Sequence, residues 1–232
     1  MESIPQKLQQ VGHRIALACA RAHRPVQSVT LLAVGKTFEA THLRAAHDAG
    51  QRCFGENYVQ EALAKMDALA GLDIEWHLIG PLQSNKTRAA AERFDWIHSV
   101  DRLKVAQRLS AQRPADLPPL NVCLEVNIDG EPSKSGLAPA AVGAVAREVA
   151  ALPGLRLRGL MAVPEPADSF EAQRLPHRRL RELLEAVNRE GLALDTLSMG
   201  MSADFEAAIA EGATIVRVGT ALFGARPPAA TS

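Results

Sequence analysis

Short β-branched apolar runs alternate along the chain with longer stretches whose apolar residues recur every three or four positions. The runs predict eight strands, at 29–34, 51–54, 74–79, 96–100, 120–128, 157–163, 194–199 and 214–218. The stretches between them predict helices at 41–50, 56–70, 83–93, 102–112, 139–152, 170–190 and 202–211, with a less defined segment after Gly219. One extra helix, 3–23, precedes the first strand. From Lys36 to Arg217 the β-α unit recurs about every 26 residues. Strict alternation implies a parallel sheet covered by helices, and eight units fit a single α/β domain, a (β/α)8 TIM barrel. A doubly wound open sheet is the alternative. The barrel is expected over residues 1–226, followed by a flexible Pro/Ala-rich tail at 227–232.

Composition narrows the class. The 232 residues are 47% hydrophobic and 22% charged, which excludes a disordered chain and supplies a large core. Lys+Arg and Asp+Glu are both 26, so no basic excess points to nucleic acid. No apolar run is long enough for a transmembrane helix, and the start lacks the apolar region of a signal peptide. The three cysteines, Cys19, Cys53 and Cys123, form neither a disulfide framework nor a zinc motif. A reducing cytoplasmic location is therefore expected, with neither a metal nor a membrane partner.

Chemistry in a barrel sits at the carboxyl ends of the strands. Of the six lysines, Lys36 alone ends an apolar strand, in phase with Leu32 and Val34. The other five read as exposed. Lys36 is either a lysine reaching out to solvent or a partly buried amine whose lowered pKa makes it a Schiff-base nucleophile. Arg217 lies inside the last strand and must find an acceptor, with Glu125 one candidate for a buried salt bridge. SMGMS (198–202) and VGTALFG (218–224) follow the last two strands, where barrels often bind phosphate. Ser202 would serve equally as a helix cap. His77 and His98 lack metal-ligand spacing and read as interior hydrogen-bonding residues. The Arg/Glu run at 174–190 reads as a solvated helix face, and DGEPSKSG (129–136) as a loop over the barrel mouth.

Together these residues suit pyridoxal 5'-phosphate (PLP): its aldehyde at Lys36, its ring nitrogen at Arg217, its phosphate at Ser198, Ser202, Gly219 and Thr220. AVGKT, FGENYVQE, WHLIGPLQSNK, HSVD, VNIDGEPSKSG, GLMAVP, LSMGMSADFEAAI and GATIVRVGTALFGAR resemble the pyridoxal phosphate homeostasis protein family, relatives of the alanine racemase N-terminal barrel. The resemblance implies a fold-type III PLP barrel, a Schiff base on Lys36, and further ring contacts from Asn57 and Met199. Two positions depart from the family pattern: Gly35 stands where serine is common, and Pro81 where histidine is common.

An arginine on the ring nitrogen cannot supply the proton that a strong electron sink needs. The related racemases also take a second base, a tyrosine, from a further domain, whereas the one tyrosine here is Tyr58. The expected role is therefore a monomeric PLP carrier in vitamin B6 homeostasis, with no catalytic residues, passing PLP to transiently bound apo-enzymes. The alternatives are a weak PLP-dependent amino-acid racemase and a phosphate-ligand barrel using Lys36 as an aldolase-type base.

Overall fold

The computed structural model describes residues 2–224. The boundary at 226 and the tail at 227–232 lie outside the described residues. Eight parallel strands close on themselves in chain order: β1 (Thr30–Val34), β2 (Cys53–Glu56), β3 (Glu75–Leu78), β4 (Trp96–Val100), β5 (Leu120–Glu125), β6 (Leu155–Met161), β7 (Thr196–Ser198) and β8 (Ile215–Val218). Pairing of β1 with both β2 and β8 excludes the open sheet. The helices are α1 (Ile4–Arg21), α2 (Ala40–Asp48), α3 (Val59–Ala68), α4 (Thr87–Arg93), α5 (Leu103–Gln112), α6 (Val142–Ala150), α7 (Phe170–Arg189), α8 (Phe205–Ala210) and α9 (Thr220–Phe223).

The two-residue strand period sorts side chains between two cores. Outward residues such as Phe54, Leu78, Ile97 and Val122 pack under the helices. Inward residues Leu32, Trp96, Cys123, Met161 and Ile215 fill the barrel. The register Leu32↔Arg217 places Arg217 on the inward face beside them. The extra helix α1 starts in a capping box between Ser3 and Gln6 and buries Val11, Ile15, Ala18 and Cys19, one stripe at helical spacing. It packs along α8, α9 and α2.

Four expectations change. The second helix-forming stretch begins at Val59, because Glu56 is the last residue of β2. The fifth strand ends at Glu125, and Val126 bridges instead to Leu137. The helix expected from Ser202 begins at Phe205, so Ser202 lies in the preceding turn. The arginine run of α7 is not simply solvated: Arg174, Arg178 and Arg181 all reach the Glu211 carboxylate, which is buried. That convergence joins two helices and leaves no periodic trace in sequence.

Candidate functional site at the carboxyl mouth of the barrel

A cavity of about 400 Å³ opens where the strands end, within the range for small-molecule sites. Lys36, Asn57, Ser202, Arg217, Gly219 and Thr220 all line it, together with apolar Val34, Ile79 and Val163. Six of the eight expected contacts are thus brought to one volume. Ser198 and Met199 are not. Ser198 faces inward but lies beneath Arg217, its Oγ accepting from Arg217 Nη1 at 2.8 Å. Met199 is fully buried in the outer core, because a residue one step from inward-facing Ser198 must point outward. Met201, two residues on, lines the cavity in its place.

Lys36 follows directly on Gly35, and the surrounding backbone is tightly held. The Lys65 ammonium donates to Gly35 O at 2.7 Å, to Glu56 Oε1 at 2.8 Å and to Glu61 Oε1 at 2.6 Å. Lys65 is therefore not an exposed lysine but a buried one with three acceptors for its three protons. Burial pushes the Glu56 carboxyl up to about 7, Lys65 offsetting only part of the rise. Next to Lys36, Thr37 adopts φ 68°, a left-handed conformation that β-branched residues avoid. Its N–H donates to the same Glu61 Oε1 at 2.6 Å. Glu56, Glu61, Lys65 and Thr37 thus form a clamp around the lysine.

Arg217 is also buried, and burial draws its guanidinium down to about 10, still cationic at neutral pH. The expected salt bridge to Glu125 is replaced by hydrogen bonds to Ser198 O (2.6 Å), Ser198 Oγ and Ala162 O (2.8 Å). Carbonyl dipoles orient the cation without neutralising it, and Glu125 acts only as a nearby charge. Below Arg217 a hydrogen-bonded series continues: Ser198 Oγ to His98 Nδ1 (2.7 Å), His98 Nε2 to His77 Nδ1 (2.9 Å), His77 Nε2 to Glu75 Oε1 (2.8 Å). The two histidines are thus interior hydrogen-bonding residues, and His98 is held neutral by burial and by the charges of His77 and Arg217.

The turn before α8 is built by Asp204, which sequence reasoning passed over. Its carboxylate accepts the Met201 N–H at 2.7 Å and contacts His177 Nε2 at 2.9 Å. Gly200 enters the turn at φ +90°, where a Cβ would lie 2.5 Å from that of Ala208. Arg14 of α1 reaches Glu206 and the carbonyl of Ser202 from outside. Opposite, the first N–H groups of α9 have no intrahelical acceptor. The hydroxyls of Ser202 and Thr220 and this backbone suit an anion, Lys36 an aldehyde, and Arg217 a lone-pair acceptor. The residues fit PLP.

A smaller cavity of about 250 Å³ adjoins the first, sharing Asn57, Ile79 and Val163 and adding Glu125, Asn127 and Lys134. Burial and the charge of Asp101 push the Glu125 carboxyl up to about 7. The 129–136 loop borders this cavity, tied down by Lys134 to Glu165 at 2.6 Å. Tyr58 stands at the N-cap position of α3 without a side-chain capping bond and is exposed.

The sequence matches the family described as "Alanine racemase, N-terminal domain" over residues 7–227. A relative from Pseudomonas aeruginosa, described as pyridoxal phosphate homeostasis protein, is 61% identical across 97% of each chain. Its Escherichia coli K12 counterpart, of the same description, is 51% identical across 97% of this chain and 98% of the relative. The solved structure of PipY from Synechococcus elongatus with PLP bound superposes with a TM-score of 0.81 at 41% identity, covering 92% of this chain and 100% of that one. The chain, a barrel closed in chain order with a lysine just past its first strand and an arginine on its last, therefore belongs to the pyridoxal phosphate homeostasis protein family.

Proposed function

We propose that this chain binds PLP at the carboxyl mouth of its barrel and serves intracellular PLP homeostasis, holding the cofactor as a Schiff base on Lys36. The observation that carries the reading is one cavity lined by a strand-end lysine, a buried arginine, and the hydroxyls and backbone of Ser202, Gly219 and Thr220. PLP when bound supplies an aldehyde that condenses with an amine. The chain supplies the rest. Lys36 presents Nζ, held in place by the Lys65 clamp beneath it. Arg217 donates toward the ring nitrogen and yields no proton to it at neutral pH. Asn57 borders the ring, and Ser202, Gly219 and Thr220 take the phosphate. Release to transiently bound apo-enzymes, a cytoplasmic location and a monomeric state complete the proposal. The three free thiols suit a reducing compartment.

The test is the visible absorption spectrum of purified protein beside Lys36→Ala. A PLP band in the first that Lys36→Ala abolishes supports the reading; no band even after adding PLP refutes it. Delivery is tested by activating an apo-acceptor enzyme. A gain no greater than from equal free PLP removes that part. One observation favours the weak racemase instead: Glu125, a carboxyl able to hold or release a proton near pH 7, borders the adjoining cavity. Lys36-dependent exchange of an amino acid's α-hydrogen in D₂O would support that alternative.

A further inference from the structure

The opposite mouth of the barrel, where the strands begin, plays no part in the reading above. Three side chains converge there from neighbouring strands. Cys53 opens β2 and is the register partner of Glu75, which opens β3, and His77 lies two residues beyond Glu75 on the same inward face. Cys53 Sγ, a Glu75 carboxylate oxygen and a His77 ring nitrogen all lie within 4.8 Å of one another. Glu75 Oε1 is 2.8 Å from His77 Nε2 and 3.5 Å from Cys53 Sγ.

We propose that this N-terminal mouth is a binding site for one borderline divalent cation of the zinc class, held by Cys53 Sγ, the Glu75 carboxylate and His77 Nε2. Metal–ligand bonds of about 2.0–2.3 Å in tetrahedral geometry require donor separations of roughly 3.3–3.6 Å. Two of the observed separations, 2.8 and 3.5 Å, lie just below and within that range and all three donors are within 4.8 Å, so side-chain adjustment brings them into place. Sulfur, imidazole and carboxylate together select zinc, cobalt or copper over magnesium or calcium. Three protein ligands leave a fourth position for water, and the half-exposed Glu75 side chain marks the open side.

The surroundings are those of a ligand set. The second nitrogen of His77 is already engaged: Nδ1 lies 2.9 Å from Nε2 of buried, neutral His98. A metal-bound histidine is oriented through such a contact on its remote nitrogen. Hydrogen bonds from His77 and Trp96 hold Glu75 below its ordinary pKa, so the carboxylate is charged. Cys53 carries its proton before the metal arrives, and that proton leaves to solvent as the sulfur–metal bond forms. Metal on Nε2 confines the His77 proton to Nδ1, which then donates to His98 Nε2. His98 must in turn carry its proton on Nδ1 and donate to Ser198 Oγ. Binding therefore selects one tautomer in both histidines.

The experiment titrates the full, metal-free chain with Co²⁺, with and without PLP. The expected result is a sulfur-to-cobalt charge-transfer band saturating at one equivalent per chain, bleached by Zn²⁺. Cys53→Ser abolishes the band, and His77→Gln weakens Zn²⁺ binding by more than about tenfold. Both variants are checked for an unchanged urea midpoint. Lys36→Ala leaves the titration unaltered, which separates this site from the cofactor reading. Nitrogen-15 NMR should show both histidines protonated at Nδ1 once Zn²⁺ is bound. Absence of the band in the wild type, or its persistence in Cys53→Ser, overturns the assignment.

Discussion

Replacing Lys65 by methionine should destabilise the protein far more than a change of one lysine normally does. The substitution keeps much of the side-chain volume but removes the charge facing Glu56, which is 0% exposed. Three contacts of 2.6–2.8 Å disappear with it, to Gly35 O, Glu56 Oε1 and Glu61 Oε1. Deleting one partner of a buried pair strands the other, at about 3–5 kcal/mol. That is a large share of the roughly 5–15 kcal/mol that holds a typical domain together. Urea unfolding of the PLP-free chain, followed by Trp76 and Trp96 fluorescence, measures the loss. Adding Glu56→Gln removes the stranded charge, so the double variant should recover most of it. The pH dependence has a definite sign. Without Lys65 the folded-state pKa of Glu56 rises further, so folding takes up a proton. The deficit of Lys65→Met should therefore shrink as pH falls from the alkaline side toward about 7, where Glu56 already takes up its proton in the unaltered fold, and stay level below that. A loss below about 1 kcal/mol, or no recovery in the double variant, would refute the clamp as a buried ion pair.

Two further outcomes are expected. Thr37→Gly relieves the φ of 68° beside Lys36; since such strain costs about 1–3 kcal/mol and glycine returns part of that as chain entropy, a net gain of about 1 kcal/mol should appear in the urea midpoint. Glu125, whose folded pKa is raised to about 7, stays protonated in the native state at pH values where the unfolded chain has released its proton. Its share of the stability should thus fall as pH rises from about 4.3 to 7, by up to about 3 kcal/mol, and Glu125→Gln should roughly halve the slope, Glu56, likewise raised to about 7, supplying the rest.

The barrel was legible because its signal is repetitive: alternating runs specify strands, and their number specifies closure. Lys36 and Arg217 stood out for a related reason, each a cation in phase with the inward apolar residues of its strand. The same rule, applied strictly, places Met199 outward, since it immediately follows inward Ser198. Ser198 could not be located by phase alone, because depth along the barrel axis depends on the stagger between strands, and Arg217 covers it. Lys65, Arg174, Arg178 and Arg181 were misjudged for another reason. Their decisive partners, Glu56 and Glu211, sit outside their own helices, and a helical position that looks solvated in isolation is drawn inward once another element supplies the opposite charge. The clamp beneath Lys36 is built almost wholly from such contacts.

Lys36 follows the first strand, Arg217 lies on the last, and Leu32 pairs with Arg217 directly across the seam between them. The cavity they line therefore straddles the join of the barrel rather than any local segment. While the chain is being made, the amine emerges early and waits through seven more β-α units for the cation and the Gly219–Thr220 backbone. An incomplete or unclosed chain carries a lysine able to meet an aldehyde but nothing to hold the rest of the molecule. If PLP is held as proposed, its retention is in this sense a proofreading signal: it certifies that the last strand has found the first.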